Sequence, residues 1–161
     1  MSARPAPVVL DDLADPHFSP EIELLRAGLA DMAPSCPLEP GALAAAAVEQ
    51  TGLADFGHGA FRARLDILCT ALRSEADLSP GGIVSWYSQL VQLLKNRLLV
   101  QDLLHRHPEI HDVRIERPII ICGLPRTGTT HLHNLISADP TLRSLPYWES
   151  LEPVLADSER P

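Results

Sequence analysis

The sequence has few cysteines, few aromatic side chains and no long apolar run. Its three cysteines, Cys36, Cys69 and Cys122, are an odd number without a C-x-x-C spacing. They form neither a disulfide framework nor a zinc site, and they favour a reducing, cytoplasmic location. No window reaches the roughly 18 apolar residues of a membrane span, and the first residues lack the apolar region of a signal peptide. These absences exclude a disulfide-stapled secreted domain and an integral membrane protein.

Positive charge is also scarce. The 161 residues carry 13 Lys and Arg against 21 Asp and Glu, which gives a net charge of −8. That balance argues against a general nucleic-acid-binding protein. Compared with residues 1–80 and 127–161, only residues 81–126 are net positive, with 6 basic and 4 acidic side chains. This stretch leads into a glycine-bearing loop, which is consistent with an anionic ligand there.

Proline and helical periodicity divide the first part of the chain. Residues 1–20 hold four prolines and little periodic pattern, and they are predicted to form a flexible arm. Residues 21–112 are predicted to form a helical subdomain, because apolar residues recur there at helical spacing. The four expected helices begin at Glu21 (with the apolar stripe Ile22, Leu25, Leu29 and Met32), span residues 41–51 with Gly52 as the cap, span residues 60–76, and run from Pro80, after the capping Ser79, to Arg106.

The pattern changes after Pro118. The apolar run at residues 119–122 predicts a strand buried on both faces, with Cys122 as a small buried side chain. A loop follows, then a helix to about residue 138, and residues 142–145 are a candidate second strand. Residues 113–161 are therefore predicted to start an α/β domain with a P-loop-like fold. Such a sheet needs about four or five strands, so the sequence is expected to be a truncated version of that fold.

The loop at residues 123–130 (GLPRTGTT) has the chemistry of an anion-binding site. Gly123 and Gly128 let the backbone curl around a ligand where a Cβ would obstruct it. The helix that follows offers unpaired N–H groups and the positive end of its dipole. Thr129 and Thr130 add hydroxyl donors, and Arg126 adds a permanent charge with a fork of donors suited to phosphate or sulfate.

One departure from the Walker A pattern narrows the chemistry. The loop nearly matches G-x-x-x-x-G-K-[ST], but Thr129 stands where the lysine belongs, which counts against ordinary nucleoside triphosphate chemistry. Residues 125–130 (PRTGTT) instead match all six positions of P-[KR]-[ST]-G-T-T, the pattern of the 5′-phosphosulfate loop in sulfotransferases. Residues 116–153 resemble the bacterial sulfotransferase family, whose loop is similar to that of tyrosylprotein sulfotransferases. Residues 51–110, with D-F-G at 55–57 and L-S-P at 78–80, resemble the helical lead-in of the bacterial group.

The resemblance implies an enzyme that transfers a sulfuryl group from 3′-phosphoadenylyl sulfate to a hydroxyl or amine of a small-molecule acceptor, without a metal. It implies donor binding by six loop residues, Pro125, Arg126, Thr127, Gly128, Thr129 and Thr130. Arg126 would neutralise the charge that grows as the S–O bond breaks. In the tyrosylprotein relatives a glutamate after the loop helix is the general base, and Glu149 lies near that place. The family's 3′-phosphate site lies on later elements, so the chain alone is expected to bind sulfate or phosphate weakly and to be inactive.

Other interpretations of these patterns stay open. The chain could be a nucleotide-binding kinase or ATPase with a degenerate loop, or a helical interaction module with a vestigial loop. Glu149 beside Trp148 could be a solvated or capping residue. His131 and His133 point to different faces of the loop helix, and packing is the expected role of His131. An apolar strand with open edges also predicts self-association.

Overall fold

Helices account for the regular structure of the described part of this chain. The computed structural model describes residue 9 and residues 11–154. Two 3₁₀ turns, Ala33–Ser35 and Pro108–Asp112, follow the first and fourth helices. Within the described residues the α-helices are α1 Pro20–Met32, α2 Pro40–Thr51, α3 Phe61–Ser74, α4 Pro80–Arg106, α5 Thr129–Ser137 and α6 Tyr147–Leu151. Nine residues of the predicted arm (residues 1–8 and 10) and residues 155–161 lie outside the described residues.

The core lies among α2, α3 and α4. Its buried members are Leu38, Leu43, Ala47, Phe56, Cys69, Leu72, Leu90, Val91, Leu94 and Leu98. The long helix α4 has 27 residues, about 40 Å at 1.5 Å per residue, and it packs against both α1 and α2. Helical spacing predicts that Ile83, Tyr87, Leu90, Leu94 and Leu98 form its buried face, and the three leucines are indeed buried.

The ends of two helices follow from single residues. Gly52 closes α2 in the left-handed conformation with φ 69°, which costs a glycine little because it has no Cβ. Ser79 opens α4, and its Oγ accepts a hydrogen bond of 3.2 Å from the Gly82 amide. Pro80 then occupies the first helical position, where its missing N–H loses no bond. The predicted boundaries of both helices are therefore confirmed.

The loop between α2 and α3 is held onto α4 by one arginine. Arg97 donates from Nε to the Phe56 carbonyl at 2.6 Å and from Nη2 to the His58 carbonyl at 2.7 Å. Its guanidinium also lies 4.4 Å from the centroid of the Phe61 ring. Between these anchors Gly57 has φ 65° and donates to the Asp55 carboxylate at 2.8 Å. The D-F-G segment at 55–57 is thus part of the packing of the helical region.

The apolar stripe predicted for α1 is only partly covered. Leu29 is half-buried and approaches the start of α4, where a Cβ placed on Gly81 would lie 3.3 Å from its Cδ1. Ile22, Leu25 and Met32 are 42%, 58% and 51% exposed. The helix forms where the periodicity placed it, but the described residues cover one end of its apolar face.

The two predicted strands are not seen as strands. Residues 118–124 and 142–146 are irregular, and no strand ladder occurs among the described residues. A strand is defined by its hydrogen bonds to a neighbouring strand, so an apolar run alone does not make one. Cys122 is exposed rather than buried, and Ile119 and Ile120 are 61% and 77% exposed. The α/β sheet is therefore not confirmed, and the predicted burial of Cys122 is wrong.

Candidate functional site

The loop of residues 123–130 forms an ordered turn directly before α5. Pro125 and Arg126 occupy the turn itself. Thr127 closes it by donating from Oγ1 to the Leu124 carbonyl at 2.6 Å. That hydroxyl is engaged within the loop, so the backbone N–H is the group that Thr127 offers to a ligand.

Gly128 makes the junction between the loop and α5. It has φ 88°, a left-handed conformation that strains any residue with a Cβ. Its carbonyl accepts the first helical hydrogen bond, from the Leu132 amide at 3.0 Å. The amides of Thr129, Thr130 and His131 precede that bond and have no helical acceptor. Since Gly128 has no side chain to cap them, they are available to an anion at the positive end of the helix dipole.

Gly123 is required by close approach rather than by its backbone angle. A Cβ at this position would lie 2.8 Å from both Thr127 Oγ1 and Thr129 Cγ2, closer than two such atoms tolerate. The glycine therefore allows the loop to fold back on itself, with Thr127 and Thr129 close to residue 123. This is the kind of cradle that phosphate-binding loops use.

Gly123→Ala is expected to distort the loop and weaken anion binding. Overpacking of this kind typically costs about 1–3 kcal/mol, which corresponds to a loss of roughly 5- to 150-fold in affinity. Titration with inorganic sulfate, followed by the chemical shift of the Thr129 amide, measures it. Gly28→Ala in α1 is the matched control, because a Cβ there meets nothing within 4 Å and should leave sulfate binding unchanged. Equal sulfate affinity in both variants would contradict the cradle.

Arg126 adopts a backbone conformation that is unusual for its type. Its φ is 66°, and the left-handed region costs a residue with a Cβ about 1–2 kcal/mol. Its neighbour in sequence, Pro125, has a fixed φ and sets the turn that leads into it. Strained backbone of this sort concentrates at binding sites. The strain therefore favours a role for Arg126 beyond that of a solvated surface arginine.

Glu149 lies in the short helix α6, two residues before its end. Its carboxylate Oε1 accepts a hydrogen bond from Arg143 Nη2. The Glu149 side chain is 27% exposed, whereas that of Arg143 is 73% exposed. The ion pair holds a half-buried carboxylate in one orientation, which distinguishes Glu149 from a freely solvated glutamate.

Helices α5 and α6 face a common cleft of about 730 Å³. Thr129 and Thr130 line it from α5, and Tyr147 and Ser150 line it from α6. Arg126 and Glu149 are not among its lining residues. The loop helix and the helix that carries Glu149 thus line the same cleft, but neither of the two candidate catalytic side chains lines it.

His133 is a site residue that the sequence argument did not single out. It is half-buried and lines the 730 Å³ cleft as well as a neighbouring cavity of about 500 Å³. His131, by contrast, is exposed. The available signal was spacing, because His133 lies four residues after Thr129 and three after Thr130, on the same helical face.

The end of α5 is fixed by a local charged turn. Asp139 accepts from the Thr141 amide at 2.9 Å and from Thr141 Oγ1 at 2.7 Å. These two hydrogen bonds lower the pKa of the Asp139 carboxyl, the backbone bond most. A lowered pKa means that the turn is stabilised above the ordinary aspartate pKa and loses that support as the pH falls through the lowered value. At neutral pH the turn directs the chain from α5 towards α6.

The described part of the chain shows neither a metal-binding cluster nor a membrane-spanning helix. No group of three or more His, Cys, Asp or Glu side chains is placed to hold a metal ion there. Among the same residues no helix is both long and apolar enough to cross a bilayer.

A glycine-cradled turn with a strained arginine, followed at once by a helix N-terminus, is the arrangement of phosphate-binding loop proteins. The chain also resembles a known protein family and a solved structure. The sulfotransferase family pattern matches residues 118–161. The chain is similar to the crystal structure of sulfotransferase STF1 from Mycobacterium tuberculosis H37Rv, with 40% identity and a TM-score of 0.67. Both matches support the assignment of this chain to the sulfotransferase family.

The comparison also sets the extent of the match. The aligned part covers 70% of this chain but 32% of the mycobacterial protein, so the chain spans about a third of that relative. None of the curated proteins matches the chain. The match to STF1 confirms the predicted resemblance to bacterial sulfotransferases.

Proposed function

We propose that this chain forms the donor-binding part of an enzyme that transfers a sulfuryl group from 3′-phosphoadenylyl sulfate to a hydroxyl or amine of a small molecule. The observation that carries the proposal is the loop before α5. Its cation, Arg126, lies inside the loop, while Thr129 replaces the lysine of nucleoside triphosphatases. A single cation in the turn suits a phosphosulfate, in which one oxygen bridges phosphorus and sulfur. A triphosphate carries more charge and is bound with a lysine and a magnesium ion.

The residues of the loop fit the donor's 5′-phosphate. We assign the backbone N–H groups of residues 127–130 and the hydroxyls of Thr129 and Thr130 to it. The Gly123 cradle supports this fit, since a Cβ there would clash with Thr127 Oγ1 and Thr129 Cγ2. Pro125 sets the turn and Gly128 frees the helix amides. The donor supplies the sulfuryl group, and the chain supplies position and charge.

Arg126 is assigned to charge stabilisation during transfer. The bond between sulfur and the bridging oxygen breaks as the acceptor's oxygen or nitrogen bonds to sulfur, so negative charge gathers on the bridging oxygen. A guanidinium in the turn would donate hydrogen bonds to that oxygen and to the sulfuryl oxygens. Holding this cation in place before the reaction avoids the cost of reorganising water around the growing charge.

Glu149 is assigned as the general base. The acceptor must lose a proton as it attacks, and a carboxylate within hydrogen-bond reach would take it. Two observations support this choice over a capping or solvated glutamate. The side chain is half-buried and paired with Arg143, and its helix α6 shares a cleft with α5.

The wider organisation is proposed on the same basis. We propose a helical subdomain at residues 21–112 and the start of an α/β sulfotransferase domain at 113–161, while the predicted arm at residues 1–20 lies in part outside the described residues. In a complete enzyme residues 119–122 would then pair with further strands. A cytoplasmic location, and self-association through the exposed apolar segment, stay predictions from the sequence.

Calorimetric titration of the chain tests the proposal. Adenosine 3′,5′-bisphosphate is expected to bind through its 5′-phosphate, and ATP with magnesium is expected to bind much more weakly. Adenosine without phosphate is the control for base stacking. Binding of ATP at equal or higher affinity would favour a degenerate kinase or ATPase loop. Failure of both nucleotides, combined with stable binding of a protein by residues 20–110, would favour an interaction module.

A further inference from the structure

Helix α6 is too short to hold its own position. It has five residues, Tyr147–Leu151, and an isolated helix of this length is unstable in water because nucleation costs more than one turn returns. At its two ends the Ser150 amide donates to the Pro146 carbonyl at 3.2 Å and the Glu152 amide donates to the Trp148 carbonyl at 3.0 Å, and Ser150 Oγ donates to the Tyr147 carbonyl at 2.6 Å. Since α6 carries Glu149, something outside it must fix where that carboxylate lies.

The structure provides a tether from α4. Asn96 donates from Nδ2 to the carbonyl of Leu151 at 2.5 Å. Leu151 ends α6, so its carbonyl lacks a helical partner and accepts a side-chain donor readily. The bond joins residues 55 apart in the chain, and it attaches α6 to the central helix of the helical region.

The orientation of the Asn96 amide is itself fixed. Gln92, one turn earlier on α4, donates from Nε2 to Asn96 Oδ1 at 3.0 Å. With its oxygen engaged in this way, Asn96 presents its NH₂ group to α6. Both side chains are half-buried, which limits their exchange with water. The pair Gln92 and Asn96 therefore forms a directed relay of two hydrogen bonds.

The platform behind the relay is rigid. Leu94 and Leu98 flank Asn96 on α4 and are 5% and 0% exposed. Arg97, the next residue, is bonded to the loop between α2 and α3. A side chain placed between such anchors has little freedom to move with α6, so α6 is constrained by α4 and not the reverse.

We propose that Asn96 is a positioning residue that sets the location of Glu149 by holding the end of α6. This inference rests on the proposed function, in which Glu149 is the general base. It gives the helical region a part in the reaction, since α4 then fixes the acceptor side of the site while the loop before α5 fixes the donor side. Asn96 itself touches neither the donor nor the acceptor in this proposal.

The tether can be tested without turnover. The chain has two tryptophans, Trp86 and Trp148, and Trp86→Phe leaves Trp148 of α6 as the sole tryptophan, which is excited selectively at the red edge of the absorption band. In that background Asn96→Asp replaces one NH₂ group by oxygen and keeps the shape and the acceptor for Gln92. We expect lower fluorescence anisotropy and stronger acrylamide quenching of Trp148. Gln89→Ala, an exposed position on α4, is the matched control and should change neither.

Turnover then separates the tether from the proposed chemistry. In a complete enzyme that contains this sequence, Asn96→Asp and Asn96→Ala should lower kcat by up to about 100-fold, the cost of a small misplacement, with an unchanged KM for the donor. Asn96→Gln, which keeps a donor on a longer side chain, should recover part of the loss. Unchanged Trp148 anisotropy in Asn96→Asp would overturn the tether. Altered anisotropy with normal turnover in Glu149→Gln would instead keep the tether and remove Glu149 as the base.

Discussion

Arg126→Ala is expected to lower turnover by about 100- to 1000-fold in a complete enzyme that contains this sequence, the range found when one preorganised donor to a developing charge is lost. Donor affinity should also fall, by roughly tenfold or more, because a hydrogen bond to a charged group contributes about 1.5–3 kcal/mol. Stopped-flow turnover and calorimetric titration with 3′-phosphoadenylyl sulfate measure the two effects separately.

A second arginine in the same segment provides the control. Arg117 also has a positive φ, 50°, and is also exposed, but it lies before the apolar run and outside the loop. Arg117→Ala removes the same charge and, like Arg126→Ala, keeps a Cβ in the left-handed region. It should leave donor affinity within about twofold, since exposed charges beyond a Debye length of about 10 Å are largely screened. Comparable losses in both variants would mean that Arg126 acts through net charge alone.

Backbone strain adds a test that separates binding from stability. Arg126→Gly should stabilise the fold by about 1 kcal/mol, because glycine adopts φ 66° without a Cβ penalty. The same variant should lose donor binding as fully as Arg126→Ala. Urea unfolding followed by circular dichroism gives the free energy of unfolding. A variant that is more stable and yet fails to bind would show that the strain is kept for the ligand.

Glu149→Gln is expected to abolish measurable turnover while donor binding persists. A well-placed general base contributes roughly 10²- to 10⁴-fold to a rate, and the amide cannot take the acceptor's proton. The substitution keeps the carbonyl oxygen that accepts from Arg143 Nη2, so α6 should stay in place. Single-turnover assays with labelled donor, beside calorimetry with adenosine 3′,5′-bisphosphate, distinguish loss of chemistry from loss of binding.

Glu152 offers the matched control for Glu149. It is an exposed glutamate just after the end of α6, so Glu152→Gln makes the same change three residues away. Turnover should stay near that of the unmodified enzyme. Normal turnover in Glu149→Gln would remove Glu149 from the mechanism, and His133, which lines the cleft beside α5, would become the next residue to substitute, with His131 as its exposed control.

Local signals in the sequence were enough to predict helices α1 to α5, but not the short helix α6. Gly52, Ser79 and Pro80 each fix a helix end by their own backbone chemistry, and the leucine spacing of α4 needs no knowledge of its partners. The loop was predictable for the same reason. Gly123 is needed for the close approach of Thr127 and Thr129, and Gly128 is needed for a left-handed backbone conformation. Such features are decided within a few residues, so a single sequence shows them.

Features that depend on distant residues were not predictable in this way. The strands expected at residues 119–122 and 142–145 need partner strands, and an apolar run does not say whether one is present. The exposure of Cys122 follows from that dependence. Likewise the bond from Asn96 to Leu151 joins residues with no shared pattern in the sequence, and only three-dimensional structure brings an asparagine amide to that carbonyl.

Asn96 and Arg97 are adjacent on α4, and they reach in different directions because each residue turns the helix by about 100°. One ties down a segment 55 residues later, and the other a segment 41 residues earlier. One turn of α4 thus holds two segments that are distant from it in sequence. Substitutions at its two positions should therefore be non-additive in a double-mutant cycle, and tilting of this one turn would move the acceptor side of the site and the helical core together.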